Sequence, residues 1–241
     1  MILAYCNIFG GVQIQLFDEH IVAAGKQNNA PQKKIIAFDK LLYIESGNSL
    51  LRSWINFVTV DNAIVLNFNQ ANAKIFKPFI DKTRKFYRPA ATTGVSQDTF
   101  KSFEYLIHTN HKMMNYGANS LYPEDSVFTK IYQPAEIQTA LILFNRKLFE
   151  KKTKPFILIF TNDEVIRFCD HVGDKSENLS TIGGIYTFIP RNKITNISGL
   201  KNEMKNYYDL NIQVTKSFTM TSRFYLNNIE LSAFLSEIKS S

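Results

Sequence analysis

One stretch occurs twice in this chain and does most to decide what it can fold into. The spacing of Ile36, Leu41 and Ile44 returns as Ile189, Ile194 and Ile197, with Asp39-Lys40 and Arg191-Asn192-Lys193 set inside the two runs. Each run reads as a strand that breaks at a short polar segment and resumes. Upstream, residues 156–160 and 165–169 flank Thr161-Asn162-Asp163-Glu164, two β-rich runs about a polar turn and hence a hairpin. Residues 12–17 and 21–24 flank Asp18-Glu19-His20 in the same layout. There Val12, Ile14 and Leu16 alternate with Gln13 and Gln15, the period of a half-buried strand.

Downstream, each copy offers two more strands. Residues 55–60 and 63–68 are joined by Asp61-Asn62, residue types that tolerate the positive φ of a tight hairpin. Residues 208–215 and 220–226 form the second pair, with clean alternation at Leu210, Ile212 and Val214. Both copies then close on a helix. Phe76, Phe79 and Ile80 match Leu231, Phe234 and Leu235, a spacing that puts three side chains on one helical face. Asn72 and Asn228 stand at N-cap positions. A helix with one apolar stripe must bury it, and the open end of the preceding sheet is the available surface. The expected fold class is α+β: two antiparallel β-sheet or barrel units, residues 1–90 and 153–241, each closed by a C-terminal helix. A helical connecting segment is expected over 91–152.

The run Ile159-Phe160-Thr161-Asn162-Asp163-Glu164-Val165-Ile166, the run Phe188-Ile189-Pro190-Arg191-Asn192-Lys193-Ile194-Thr195-Asn196-Ile197 and the helix over 229–238 together resemble the bacterial pleckstrin-homology-like (PH-like, GRAM-related) domains. The resemblance covers residues 153–241 and, on fewer matching residues, 1–90. It implies a module that binds a protein or a lipid headgroup and needs no cofactor. PH-like domains that hold phosphoinositides place basic residues around the first hairpin. Here the hairpin turns are Asp18-Glu19-His20 and Thr161-Asn162-Asp163-Glu164, with Asp170, Asp174 and Glu177 close by. That departure turns the expectation away from a membrane surface and toward a protein partner or self-association.

Composition bounds the rest. A chain of 241 residues that is 45% hydrophobic and 13% aromatic has the apolar content to build a core and is not intrinsically disordered. No run approaches the length of a membrane span, and the first residues lack the basic n-region of a secretory signal. Cys6 and Cys169 fall in strand-like runs without metal-ligand spacing, so buried thiols in a reducing, cytoplasmic compartment are expected. The formal charge is +7. Lys74, Lys77, Lys82, Arg84, Lys85 and Arg88 crowd the first closing helix; Arg146, Lys147, Lys151, Lys152 and Lys154 crowd the end of a middle helix. Cations toward a helix C-terminus are favoured on any solvated helix. Such clusters also neutralise a nucleic-acid backbone, with Phe86, Tyr87 and Phe149 available to stack, and nucleic-acid binding is the alternative function. The candidate partner-binding residues are Trp54, the single tryptophan, together with Lys82, Arg84, Lys85, Arg146, Lys147, Lys151 and Lys152.

In the middle, residues 90–94 are rich in breakers. Ser96 is placed to cap a helix carrying Phe100, Phe103, Leu106, Ile107 and Met114, and residues 115–123, with Gly117, read as a loop. A short helical turn is expected after Pro123. Pro134 suits the first turn of a longer helix carrying Ile137, Leu141, Phe144 and Leu148.

Catalytic chemistry finds little support. The sequence has no Walker-type glycine loop, no Gly-x-Ser-x-Gly and no His-Glu-x-x-His. His108 and His111 share a helical face but lack a second pair to complete a metal site, so surface histidines are expected. Asp18-Glu19 and Asp163-Glu164 lie in turns, the ordinary place for such residues, and Glu124-Asp125 suits a helix N-terminus. A small nuclease is the minority reading. The expectation is a non-enzymatic interaction module with no catalytic residues, metal or cofactor.

Overall fold

A computed structural model of the protein describes residues 4–8, 12–27, 30–49, 51–88, 101–143, 146–170, 183–202, 206–225 and 228–240. The fold is α+β and the strand pairing antiparallel throughout. A first series of elements comprises β1 (Ala4–Ile8), β2 (Val12–Leu16), β3 (His20–Gln27), β4 (Ala30–Ala37), a 3-10 turn (Phe38–Lys40), β5 (Leu41–Asn48), β6 (Arg52–Thr59), β7 (Ala63–Asn69) and α1 (Ala73–Phe86). A 3-10 turn (Lys101–Leu106) and α2 (His111–Asn119) follow. The second series comprises β8 (Val127–Gln133), the ribbon β9 (Ile137–Leu143) and β10 (Arg146–Lys152), then β11 (Phe156–Thr161), β12 (Glu164–Asp170) and β13 (Gly184–Pro190). It ends with a 3-10 turn (Arg191–Lys193), β14 (Asn196–Asn202), β15 (Tyr207–Gln213), β16 (Thr219–Tyr225) and α3 (Ile229–Ser240). The polar segments inside the two isoleucine-spaced runs are the two 3-10 turns.

The sheets cross the boundary between the series. Strands β7-β6-β5-β13-β12-β11-β8 form one seven-stranded sheet, joined where β5 pairs with β13 in the register Ile44↔Phe188, Ser46↔Tyr186 and Asn48↔Gly184. Strands β1-β2-β3-β4 and β14-β15-β16 form separate sheets, and no sheet closes into a barrel among the described residues. Because other elements cover both of its faces, β11 is buried at every position. Ile157 and Ile159 face one core with Phe76, Phe79 and Met113; Leu158 and Phe160 face the other with Leu210, Phe224 and Leu231. A strand wetted on neither face has no reason to alternate, which explains the unbroken apolar run at 156–160. In β2, by contrast, Gln13 is exposed and Ile14 buried.

The closing helices follow the expected stripe. Phe76, Phe79, Leu231 and Phe234 are all buried. Asn228 caps α3 by accepting a hydrogen bond from the Leu231 amide at 2.9 Å. Asn72 makes no such bond; the Asn69 side chain serves the turn before α1, accepting from the Ala71 amide.

Three expectations for the middle are corrected. The helix from Pro134 does not form: residues 137–143 and 146–152 are the strands β9 and β10, whose base closes where the Thr153 amide donates to the Glu136 carbonyl at 2.8 Å. Ile137, Thr139 and Ile142 are β-branched, and an apolar run of this length satisfies either period. Gly117 belongs to α2, where its bare Cα lets the Phe103 ring pack close. Asn110 supplies the α2 cap, accepting from the Met113 amide; Ser96 lies outside the described residues. After Pro123 there is a turn, closed by the Asp125 amide donating to the Tyr122 carbonyl. Strand β1 in the first series, and β8 with the β9–β10 ribbon in the second, precede the hairpins at the acidic turns, which join β2 to β3 and β11 to β12. Among the described residues no helix is long and apolar enough to cross a membrane.

Candidate docking groove

In the first series, the space between β5 and α1 is occupied by β13. Its backbone adds to the β5 edge, and the Gly184 amide donates to Asn48 Oδ1 at 2.8 Å. Residues on alternate positions face the helices, Phe188 toward α1 and Tyr186 toward α2. Phe188 lies under the Arg84 guanidinium at 4.1 Å, and the Tyr186 hydroxyl donates to the Tyr116 carbonyl at 3.2 Å. A cavity of about 190 Å³ lined by Ser46, Asn48, Phe76 and Tyr186 remains beneath.

A buried ionic cluster fixes this arrangement. Glu164, fully buried at the start of β12, accepts from Arg84 and Arg88 and from the Tyr87 hydroxyl at 2.9 Å. Arg84 also donates to the Ser120 carbonyl at 2.8 Å, and Arg88 forms a second, two-point ion pair with Asp125. Burial works against the Glu164 charge, but Arg84, Arg88 and Tyr87 outweigh it and hold the carboxyl below its ordinary range. Burial likewise opposes the Arg84 charge, and Glu164 more than restores it. All three side chains that reach Glu164, Arg84 on α1 and Tyr87 and Arg88 just after it, cross from the first series to the second.

In the second series, β14 follows a 3-10 turn and α3 closes the series, the same order as β5 and α1 in the first. β14 pairs with β15 on one side; no strand pairs with its other edge among the described residues. Asn196, Ser198, Gly199, Leu200 and Lys201 are exposed, Leu200 to 65%. Beside this edge lies a cavity of about 500 Å³ lined by Phe160, Val165, Ile194, Ile197 and Phe234. Phe128, 61% exposed, and Arg191, whose guanidinium sits 5.0 Å from the Phe128 ring, also line it. The region thus joins a sheet edge that no strand covers among the described residues to an apolar hollow.

The candidate residues read from the sequence are dispersed. Trp54 is half-buried on β6, its ring laid over Gly47 and its Nε1 donating to Glu45 at 3.3 Å. Arg84 is 4% exposed and committed to Glu164, which removes it from any surface. Lys82 reaches Asp18 at 3.3 Å, and Lys85 is exposed near Tyr122. Lys77 pairs with Asp81, so the basic run on α1 does not present one continuous face. Arg146, Lys147, Lys151 and Lys152 lie on strand β10, not on a helix. Of the acidic pairs, Glu164 and Asp125 are buried against arginines. His111 contacts Asn115, His108 is exposed, and no group of three potential ligands gathers among the described residues.

Sequence reasoning missed Ile197, Leu200 and Phe128 as surface features. The available signal was the exposed Leu200 between Gly199 and Lys201, too short to stand out. No protein-family model matches this chain, and no curated protein does either.

Proposed function

We propose that the two series are copies of one PH-like unit and that the chain is a non-enzymatic module that binds a protein partner. The first unit's groove is filled from within by β13. The second unit's groove, between β14 and α3, receives an extended segment of the partner as an added strand. The observation that carries this reading is the free β14 edge beside an apolar cavity, at the place where β5 already holds a strand. An unpaired strand edge is a template for another chain, and main-chain bonds supply affinity while pockets for alternate side chains supply selectivity. β13 supplies a pattern for such a segment: aromatic side chains at alternate positions, Phe188 against Arg84 of α1 and Tyr186 against Tyr116 of α2. Tight assembly through the α1 basic run is disfavoured, since Arg84 and Arg88 are engaged inside.

Extended peptides selected on the purified protein test this. The expected binders carry apolar residues at alternate positions, slow hydrogen exchange of the β14 amides, and lose affinity on Ile197→Asp. Single prolines at Ser198 and Lys201 probe opposite edges, because N–H groups an odd number of residues apart point opposite ways along a strand. One should abolish binding at unchanged stability and the other should destabilise β14. Selected peptides that bind with β14 exchange unaltered overturn the reading.

A further inference from the structure

The groove beside β14 carries a charge that constrains what its occupant must bring. Its cavity opens at the N-terminal end of β14, where its lining runs from Ile194 to Ile197. Phe160, Val165, Ile197 and Phe234 make the walls apolar. Arg191 is the one charged side chain among the described residues that line it. Its own neighbours fix it there. The Arg191 amide donates to the Asp163 carbonyl at 2.8 Å, which ties the 3-10 turn to the β11–β12 hairpin. Its Nη1 donates to the carbonyl of the buried Thr161 at 3.2 Å, and its guanidinium lies 5.0 Å from the centre of the Phe128 ring. The rest of the fork has no protein acceptor among the described residues. Arg84, Arg88 and Arg223, by contrast, each meet a carboxylate.

A guanidinium already oriented by stacking and by a hydrogen bond loses little further freedom when a second group binds it. Its planar fork takes a carboxylate at two points, and a lone cation balances a single negative charge. A segment lying in the groove also excludes water from the pair, which strengthens it. We infer that the segment received by this groove carries an Asp or Glu whose carboxylate pairs with Arg191, an assignment that rests on the strand-addition reading of the groove. The pairing of β13 with β5 supplies the direction. It is antiparallel, and it sets Phe188, near the C-terminal end of β13, against Ile44, and Gly184, at its start, against Asn48. A segment laid on β14 in the same sense reaches Arg191 with its C-terminal end. The acidic residue therefore follows the apolar residues that enter the cavity. Phe128 is 61% exposed, and Thr195 and Asn196 are exposed as well, so the mouth is open. An open mouth lets the partner chain run on past the arginine, and the carboxylate is that of a side chain.

The test is a library of extended peptides varied at every position, its C-terminus fused to a carrier so that no free carboxylate is present. It is selected on the whole chain and on Arg191→Glu. Binders to the parent should be enriched in Asp or Glu at one position C-terminal to their alternating apolar residues. Binders to Arg191→Glu should carry Lys or Arg there instead. For a parent binder, Arg191→Gln should weaken binding about tenfold, as should changing the peptide's acid to its amide, and the two changes together should cost little more than either alone. Arg191→Gln should melt with the parent. Peptides that slow β14 amide exchange yet show no acidic preference, or that bind Arg191→Gln as they bind the parent, overturn the pairing with Arg191 and leave the groove standing. An acid enriched N-terminal to the apolar residues overturns the antiparallel placement. Binders that leave β14 exchange unaltered overturn the groove and the pairing together.

Discussion

Arg84 and Glu164, eighty residues apart in the chain, meet in a buried ion pair through both Nε and Nη2 of the arginine. The pair links α1 of the first series to β12 of the second, beside the β5–β13 junction. Removing one partner leaves a charge uncompensated in the interior. Glu164→Gln or Arg84→Met should each cost roughly 3–5 kcal/mol in urea titration. Replacing both with apolar residues should cost less than the sum, and a double-mutant cycle measures the difference. Additive losses would show that the two side chains do not act as a pair.

Acid should act on the same pair. The Glu164 carboxyl is held below its ordinary value of 4.5 by Arg84, against the push of burial. A depressed pKa means the folded state binds fewer protons than the unfolded one, so this contribution is complete above about pH 5 and declines as pH falls through the folded value. Melting temperature across this range should fall less steeply in Glu164→Gln than in the parent. Parallel curves would remove Glu164 from the acid response.

The closing helices give a matched test of the two units. Phe79 is fully buried on α1 and Phe234 is 7% exposed on α3. Truncation of either to Ala should cost roughly 3–5 kcal/mol, whereas Lys82→Ala should stay within about 0.5 kcal/mol. Because one sheet runs through both units, each loss should lower a single shared transition. Two separate transitions would show units that fold apart.

Local features were legible in the sequence and the junction was not. The hairpins, the two polar breaks at 3-10 turns and the helical stripes through Phe79 and Phe234 each leave a pattern within a few residues. The pairing of Ile44 with Phe188 leaves none, since an exposed and a paired strand edge can have the same side chains. One trace existed: residues 156–160 do not alternate, while Val12, Ile14 and Leu16 do, and only the first run is covered on both faces. Strand β8 went unread because Pro123 and Pro134 bracket it as helix starts. That omission, with the omission of β1, made the acidic turns pass for the first hairpins, while Pro134 and an apolar run that fits either period led the basic ribbon β9–β10 to be read as a helix. The groove beside β14 was hidden for another reason: its lining comes from β8, β11, β12, the start of β14 with the 3-10 turn leading into it, and α3, segments far apart in the chain.

Trp54 allows one more prediction, because it is the only tryptophan in the chain and so reports alone in fluorescence. Its indole lies across Gly47, where an added Cβ would come within 2.0 Å of the ring. Gly47 pairs with Trp54 on one side and with Ile185 of β13 on the other. Gly47→Ala must therefore push the ring outward or spread the strands at the junction. Overpacking of this kind costs about 1–3 kcal/mol, and the displaced indole should emit at longer wavelength with easier quenching by iodide. Were Trp54 instead a free anchor for a partner, its emission would already be that of a wetted indole and the substitution would leave it unchanged. Unchanged emission with unchanged stability would place the ring away from Gly47 and reopen the partner role.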